Sequence, residues 1–301
     1  MPALIPIDEH ITAIDQDLFG IPDLGMTYVV RGDPDRIALV ETGTSLSVPT
    51  ILAGLDALGI PRDAPGFIIC THIHMDHAGG AGTLAAALPR AHVYINSSVA
   101  QHLVDPSRLI ASTRRAVGEA LWPLQGTIDP LPPERLRPAE ALRLDLGRGV
   151  RLQAIATPGH SPDHLAFLEH RSGALISGDA AGIALPRYGI PPRPVTPPPS
   201  FDLNQQLATY ERLRTLPIER LLVTHGGPVA NPAAALREQH LKLLEIAELV
   251  RAAVERDELV IPALAARLLP VESPPVLRIW AEMSIAGLAR YFRTRREPTM
   301  S

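Results

Sequence analysis

The chain has 301 residues, of which 46% are hydrophobic and 20% charged, and its formal net charge is −4. This composition predicts a globular protein with a large core, and the acidic balance argues against a nucleic-acid-binding groove. A single cysteine, Cys70, excludes an intramolecular disulfide. Because the sequence has neither a signal-peptide pattern nor the run of about 18 apolar residues that a membrane helix needs, we expect a cytoplasmic protein.

The first part of the chain alternates between strand and helix patterns. Apolar alternation predicts three opening strands, and a short Gly-Asp-Pro-Asp turn separates the last two. Apolar residues at helical spacing then predict helices around a further apolar strand. The predicted strands are residues 11–17, 27–31, 37–41, 67–70 and 92–95, and the predicted helices are residues 48–58, 83–88, 99–103 and 108–118.

Residues 71–80, Thr-His-Ile-His-Met-Asp-His-Ala-Gly-Gly, carry a dense group of potential metal ligands. Imidazole and carboxylate groups together suit zinc, iron or manganese. The four ligand-type side chains exceed what one metal ion needs if it keeps an open coordination position. The run therefore predicts two metal ions in one site, with further ligands from later segments. The four side chains are those of His72, His74, Asp76 and His77.

Three later apolar segments each lead into another potential ligand. The segment at residues 152–156 precedes His160, that at 174–178 precedes Asp179, and that at 221–224 precedes His225. Ligands that follow strands lie on loops held by a rigid scaffold. We therefore predict one site at the edge of a sheet.

This combination resembles the metallo-β-lactamase superfamily over residues 11–228. The resemblance implies an α+β fold, a four-layer αββα sandwich in which two mixed sheets pack face to face and helices flank them. It also implies two metal ions held by separate groups of ligands, with one carboxylate bridging both. The first group would be His72, His74 and His160, the second Asp76, His77 and His225, and the bridge Asp179.

The resemblance also predicts the chemistry. Zinc β-lactamases of the superfamily often have Cys at the bridging position, so Asp179 favours the glyoxalase-II-like and lactonase-like hydrolases instead. Two divalent ions, with Zn²⁺ favoured and iron or manganese also suitable, lower the pKa of a shared water that attacks a carbonyl group. Asp76 is the candidate catalytic residue, since it can move a proton. Glu41 and His164 are candidates for residues that orient the metal ligands without binding metal themselves.

A proline-rich segment at residues 186–200 follows Asp179 closely. Because proline stiffens the backbone and removes a hydrogen-bond donor, we expect the segment to stay outside any sheet and to pass the rim of the site. Tyr188, Arg187 and Arg193 are therefore candidates for contact with the substrate.

The C-terminal part has a helical pattern, with helices predicted at residues 233–256 and 275–296. It predicts a division into a catalytic domain, residues 1–230, and a helical cap or dimerisation region, residues 231–301. Trp280 and Phe292 on one helix make a homodimer one option. With one lysine and scattered arginines, the region does not favour binding of a glutathione carrier.

The sequence thus predicts a dinuclear metal-dependent hydrolase for a small carbonyl ester, either a thioester or a lactone. A small molecule is the expected partner, and neither nucleic acid nor membrane is expected. Three alternatives stay open: a phosphodiesterase or nuclease with the same two metals, a mononuclear iron persulfide dioxygenase, and a non-enzymatic protein whose helical region binds a partner.

Overall fold

The computed structural model describes residues 2–295. The strands are β1 (Leu4–Pro6), β2 (Ile11–Asp15), β3 (Met26–Arg31), β4 (Ile37–Val40), β5 (Pro65–Ile69), β6 (His92–Ile95), β7 (Leu136–Pro138), β8 (Arg143–Gly147), β9 (Val150–Ala156), β10 (Leu165–Glu169), β11 (Ala174–Ile176), β12 (Ile183–Leu185), β13 (Ile190–Arg193), β14 (Arg220–Val223) and β15 (Gly227–Val229). The helices are α1 (Val48–Ala57), α2 (Met75–Ala78), α3 (Ala81–Ala87), α4 (Gln101–Val104), α5 (Ser107–Leu121), α6 (Leu203–Arg214), α7 (Pro232–Glu255), α8 (Ile261–Ala266) and α9 (Pro275–Thr294). Short 3₁₀ helices cover Leu18–Gly20, Ser45–Ser47, Trp122–Gln125, Pro133–Arg135 and Pro186–Tyr188.

Two mixed sheets form the centre of the fold. The first contains β1 to β7 in chain order, antiparallel from β1 to β4 and parallel from β4 to β7. The second has the order β15-β14-β11-β10-β9-β8, in which β11 and β14 are parallel and the other neighbours antiparallel.

Alternation of side chains along the strands produces four layers. Tyr28 of β3 packs between the sheets with Phe167 of β10, whereas Val29 faces the core under α1 and α3. On the outer face of the second sheet, Leu168 packs with Leu236 of α7. The predicted αββα sandwich of two mixed sheets is therefore confirmed.

The C-terminal helices α7, α8 and α9 pack on one another and on α6. Leu243 and Val250 of α7 and Ile285 and Leu288 of α9 share a buried cluster with Tyr210 of α6. The predicted helical extension is confirmed. The division into two domains near residue 230 stays a prediction, although that position falls between β15 and α7. Arg296, the predicted end of the last helix, lies outside the described residues.

In one respect the prediction from the sequence is wrong, because part of the proline-rich segment joins a sheet. β13, which contains Pro191 and Pro192, pairs antiparallel with β12 in a two-stranded sheet. Each strand there has only one neighbour, and the register shift between Ile183 and Leu185 leaves Pro191 and Pro192 without directly paired residues, so their missing N–H groups fall where the ladder is interrupted. Prolines are tolerated in an edge strand of this kind.

Within residues 2–295, no helix combines the length and apolar character required to cross a bilayer.

Candidate metal centre

Four strand ends bring the seven candidate ligands to one place. β9 and β11 each pair antiparallel with β10, and β11 pairs parallel with β14, so β9, β11 and β14 run in the same direction. Their carboxyl ends therefore lie at one edge, where His160, Asp179 and His225 follow them. The ligand-rich segment after β5, which contains His72, meets this edge from the first sheet.

The nitrogens of one group of three histidines converge on a single point. His74 Nδ1 lies 2.9 Å from His72 Nε2 and 3.0 Å from His160 Nε2. Zinc–nitrogen bonds of about 2.0–2.1 Å place tetrahedral ligand atoms about 3.3 Å apart. The spacing of these three nitrogens is close to that of ligands around one metal ion.

A second group lies beside the first, and one carboxylate lies between them. His77 Nε2 and His225 Nε2 are 3.2 Å apart, and they lie 3.8 and 3.7 Å from Asp76 Oδ2. Asp179 Oδ1 lies 3.5 Å from His77 Nε2 and 3.4 Å from His225 Nε2, and Asp179 Oδ2 lies 3.4 Å from His160 Nε2. Asp179 therefore contacts both groups.

The far nitrogens of three of these histidines are held by oxygen atoms. Nδ1 of His160 donates to the carbonyl of Val195 at 3.1 Å, and Nδ1 of His225 donates to that of Leu24 at 2.5 Å. Nδ1 of His72 lies 2.9 Å from the Thr71 hydroxyl. A proton on Nδ1 leaves Nε2 as an unprotonated electron-pair donor, which is the form that binds metal.

Glu41 lies behind the ligands, directly after β4. Its Oε1 accepts hydrogen bonds from the hydroxyls of Thr71 at 2.6 Å and Thr224 at 3.2 Å, and lies 3.2 Å from His77 Nδ1. Since the Thr71 hydroxyl donates to Glu41, it accepts from His72. Glu41 thus contacts His77 directly and orients His72 through Thr71.

His164 fixes the peptide that carries Asp179. Its Nε2 accepts the backbone N–H of Asp179 at 3.1 Å, and its Nδ1 donates to the Thr157 hydroxyl at 2.8 Å. Both ring nitrogens are therefore used within the protein. At Gly178, where φ is +50°, a Cβ atom would lie 2.7 Å from Thr71 Oγ1 and 2.8 Å from His164 Nε2, so this close approach requires glycine.

The carboxylates and imidazoles of the centre shift one another's pKa values. Burial raises the pKa of Asp179, but the imidazoles of His77, His225 and His160 outweigh it and hold the pKa well below its usual value. Burial lowers the pKa of His160 to about 4. Burial also lowers the pKa of His77, but the carboxylates of Asp179, Glu41 and Asp76 outweigh it and raise that pKa well above its usual value.

A divalent cation fits this donor set. The carboxylates of Asp76 and Asp179 belong to it and that of Glu41 lies behind it, and the cavity lining contains neither Arg nor Lys among the described residues. Asp179 Oδ1 is buried and has no hydrogen-bond donor. A metal ion would supply both the missing positive charge and the missing partner for this oxygen.

A cavity of about 270 Å³ opens above the candidate ligands. Asp76, His160, Asp179 and His225 form part of its surface, and uncharged side chains form its walls. The walls come from the 3₁₀ turn near residue 19, α5, the proline-rich segment and α9, and include Phe19, Ser112, Thr113, Ala116, Val117, Val195, Pro197, Pro198, Pro199, Ser200, Trp280, Met283 and Ser284.

The three candidate substrate residues lie elsewhere. Arg187 pairs with Asp23 at 2.5 Å, and the Tyr188 hydroxyl donates to the carbonyl of Pro22 at 2.9 Å. Arg193 is buried and lines a smaller void beside the cavity. Arg187 and Tyr188 are therefore held by contacts outside the main cavity, and Arg193 lies beyond the part of its wall formed by Val195, Trp280 and Ser284.

Besides Thr71, sequence reasoning missed the roles of Asp163 and Trp280 at the centre. Asp163 accepts the backbone N–H of Ile73 at 3.0 Å and thereby holds the loop between His72 and His74. The Trp280 ring lies edge-on to that of His225, with 4.8 Å between their centroids. The closeness of Asp163 to His160 in the chain was the one signal for the former, and no local pattern connects Trp280 to His225.

A sequence profile of the Metallo-beta-lactamase superfamily matches residues 20–225. The uncharacterized protein YobT of Bacillus subtilis is 28% identical over 216 residues, which cover 70% of this chain and 87% of YobT. The metallo-beta-lactamase fold-containing protein ST1585 of Sulfurisphaera tokodaii is 27% identical over 225 residues, covering 73% and 78% of the two chains. Thioesterase pkgB of Emericella nidulans is 27% identical over 158 residues, 51% of this chain and 34% of pkgB.

The fold is also similar to that of solved structures. The crystal structure of archaeal ST1585 superposes with a TM-score of 0.71 at 22% identity, covering 93% of this chain and 98% of ST1585. This similarity extends over the C-terminal helices as well as the sandwich.

Proposed function

Because the chain belongs to the metallo-beta-lactamase superfamily, we propose that it is a dinuclear metal-dependent hydrolase that cleaves a small carbonyl ester, either a thioester or a lactone. The observation that carries this proposal is the pair of ligand groups that both contact Asp179, at the base of a cavity with uncharged walls. The candidate ligands are accessible from the cavity, whereas the ligands of a purely structural metal site enclose the ion.

Each group of residues has a stated role in this proposal. His72, His74 and His160 would hold one divalent ion, Asp76, His77 and His225 the other, and Asp179 both. Zn²⁺ suits these donors best, and iron and manganese use the same donor types. The bound metal supplies a Lewis acid for the carbonyl oxygen and lowers the pKa of a water nucleophile.

The chain's own residues position the groups and move protons. Asp76, whose side chain is 21% exposed, lines the cavity and can take a proton from the nucleophile and deliver it to the leaving group. Glu41 and Thr71 keep His72 and His77 in the donor orientation, while His164 holds the peptide of Asp179. The uncharged walls would surround the reacting carbonyl.

The lining of the cavity favours a carbonyl ester over a phosphodiester. A nucleic acid would bring several phosphates, and the uncharged walls offer them no Arg or Lys among the described residues. The second ligand group supports two ions rather than the single iron of a persulfide dioxygenase. Similarity to thioesterase pkgB supports a thioester as the first substrate to test.

Metal content and hydrolysis test the proposal together. We expect about two equivalents of metal in the purified protein, and in Asp179→Ala less than about one equivalent together with a loss of thioesterase activity of about 100-fold or more. Asp56→Ala, which changes an exposed carboxylate on α1, is the control and should match the wild type. Full metal content and activity in Asp179→Ala would refute the ligand assignment. One equivalent of iron with oxygen consumption on a persulfide would identify the dioxygenase instead.

A further inference from the structure

The hairpin formed by β12 and β13 presents an apolar face to the C-terminal helices. Ile183, Leu185 and Ile190 belong to one buried cluster with Leu277 of α9. Arg193 pairs directly with Ile183 across the hairpin. Because directly opposed residues of antiparallel strands point to the same side, the Arg193 side chain lies on this apolar face.

Arg193 is a buried cation without a partner. Its residue is 9% exposed, and its guanidinium has no hydrogen bond or ion pair within residues 2–295. Burial lowers its pKa to about 10, and no carboxylate offsets this effect. Arg187 in the same hairpin differs, since it is exposed and paired with Asp23. An unpaired buried charge is unfavourable, so an unassigned anion is the natural partner of Arg193.

Arg193 borders a void of about 30 Å³ that adjoins the main cavity. Apolar side chains, including those of Ile246 and Leu277, line most of this void. Val195, Trp280 and Ser284 line both the void and the main cavity. A ligand that extends from the metal centre past this shared wall would bring its far end to Arg193.

We propose that Arg193 binds a carboxylate at the far end of the acyl chain, so that the substrate is an ester or thioester of a dicarboxylic acid. This inference rests on the proposed hydrolase function. A carboxylate matches the planar guanidinium through two parallel hydrogen bonds. A void of this size has room for only a few atoms, which favours a carboxylate over the bulkier phosphate.

Two thioesters with acyl chains of four carbons test the proposal. In Arg193→Met, we expect KM for a succinyl thioester to rise roughly tenfold to 100-fold, while KM for the uncharged butyryl thioester changes by less than about twofold. Arg187→Met, the matched control in the same hairpin, should leave both values unchanged. An equal effect of Arg193→Met on the two thioesters would overturn the proposal.

A measurement of thermal unfolding tests the site independently of hydrolysis. Succinate, but not the uncharged succinamide, should raise the unfolding midpoint more in the wild type than in Arg193→Met. Without ligand, Arg193→Met should unfold at the same or a higher temperature, because it removes an uncompensated buried cation. A lower midpoint together with an unchanged succinate effect would identify Arg193 as a structural residue. If no ester is hydrolysed and succinate still stabilises through Arg193, the hydrolase proposal fails and the site binds a free carboxylate.

Discussion

The Thr71 side chain links a candidate metal ligand, His72, to the carboxylate of Glu41. Its hydroxyl accepts a hydrogen bond from His72 Nδ1 and donates one to Glu41 Oε1. The hydroxyl therefore determines which nitrogen of His72 carries the proton. Because it is buried beside the ligands, no water can replace it without a rearrangement.

Thr71→Val should weaken metal binding by about 10-fold to 100-fold, since it keeps the shape of the side chain but removes the link between His72 and Glu41. Competition with a chromophoric chelator measures this affinity. Thr12→Val, a substitution of the same kind at a buried position on β2, should leave the affinity unchanged. Equal affinities of Thr71→Val and the wild type would show that Glu41 does not act on His72.

The candidate metal ligands could be predicted from the sequence, whereas some of the residues that hold them in place could not. The candidate ligands are visible because each has a metal-binding side chain and follows an apolar strand. Thr71 and Asp163 are ordinary polar residues in the sequence. Their contacts depend on which ring nitrogen or backbone N–H faces them, and spacing along the chain does not contain that information.

At the scale of elements, Glu169 at the end of β10 connects the two sheets. It accepts hydrogen bonds from the backbone N–H groups of Arg171 and Ser172 at 2.8 Å each, which closes the turn between β10 and β11. It also contacts His10 Nε2 at 3.0 Å, just before β2. Burial raises the pKa of Glu169, but the hydrogen bonds from His10, Arg171 and Ser172 outweigh it and lower the pKa.

Glu169→Gln should reduce the free energy of unfolding by about 1–3 kcal/mol near pH 7, because the amide loses charge-assisted hydrogen bonds. A carboxyl whose pKa is lowered by folding stabilises the protein above its unfolded pKa, and the stabilisation disappears as pH falls through the folded pKa. The difference in free energy of unfolding between the wild type and Glu169→Gln should therefore become smaller below pH 4.5, the ordinary pKa of glutamate.

Urea unfolding at several pH values, with a chelator present to separate metal loss from folding, measures this difference. Glu134→Gln, at an exposed position, is the control and should show no such narrowing. If the free energies of unfolding of the wild type and Glu169→Gln differ by the same amount at neutral and acidic pH, the role assigned to Glu169 is contradicted.

The strands and helices that the sequence predicted are those in which apolar residues recur with a clear spacing. Strands such as β3 and β6 and the long helices α7 and α9 were predicted to within a few residues, because each has enough apolar residues in its pattern to be recognised. β7 and β12 have three residues each, too few to display a period. β13 was excluded because of its prolines, and its pairing depends on having a single neighbour.

At the scale of the whole molecule, the cavity is a product of long-range packing. Its walls come from α5, the proline-rich segment and α9, which are far apart in the chain. Trp280 and Phe292, on which the sequence-based case for a homodimer rests, pack within the chain: Trp280 lines the cavity and Phe292 packs against the helical core. The prolines at residues 186–200 predicted a segment at the rim of the site, and Pro197 to Ser200 line the cavity, whereas no local pattern indicates that α5 and α9 meet there.

Trp280→Ala should lower kcat/KM for an apolar acyl thioester about tenfold, mainly through KM, because it removes a large apolar surface beside the reacting group. Metal content should stay at the wild-type value. Leu241→Ala, at a position 60% exposed on α7, is the control and should change neither quantity. A fall in metal content would show instead that Trp280 supports His225 rather than the substrate.

The division of the ligands between the two sheets also governs when the centre can be completed during synthesis. The ribosome releases His72 to His77 early, yet the partners that close both groups follow β9, β11 and β14. His225 emerges last of the ligands, and β14 must pair with β11 to bring it into place, before β15 adds to the other edge of β14. Until His160, Asp179 and His225 have been synthesised, a nascent chain contains only part of the candidate ligand set. Under the proposed function, the site would therefore bind its ions only after β14 is in place, from the metal supply at the location where folding ends.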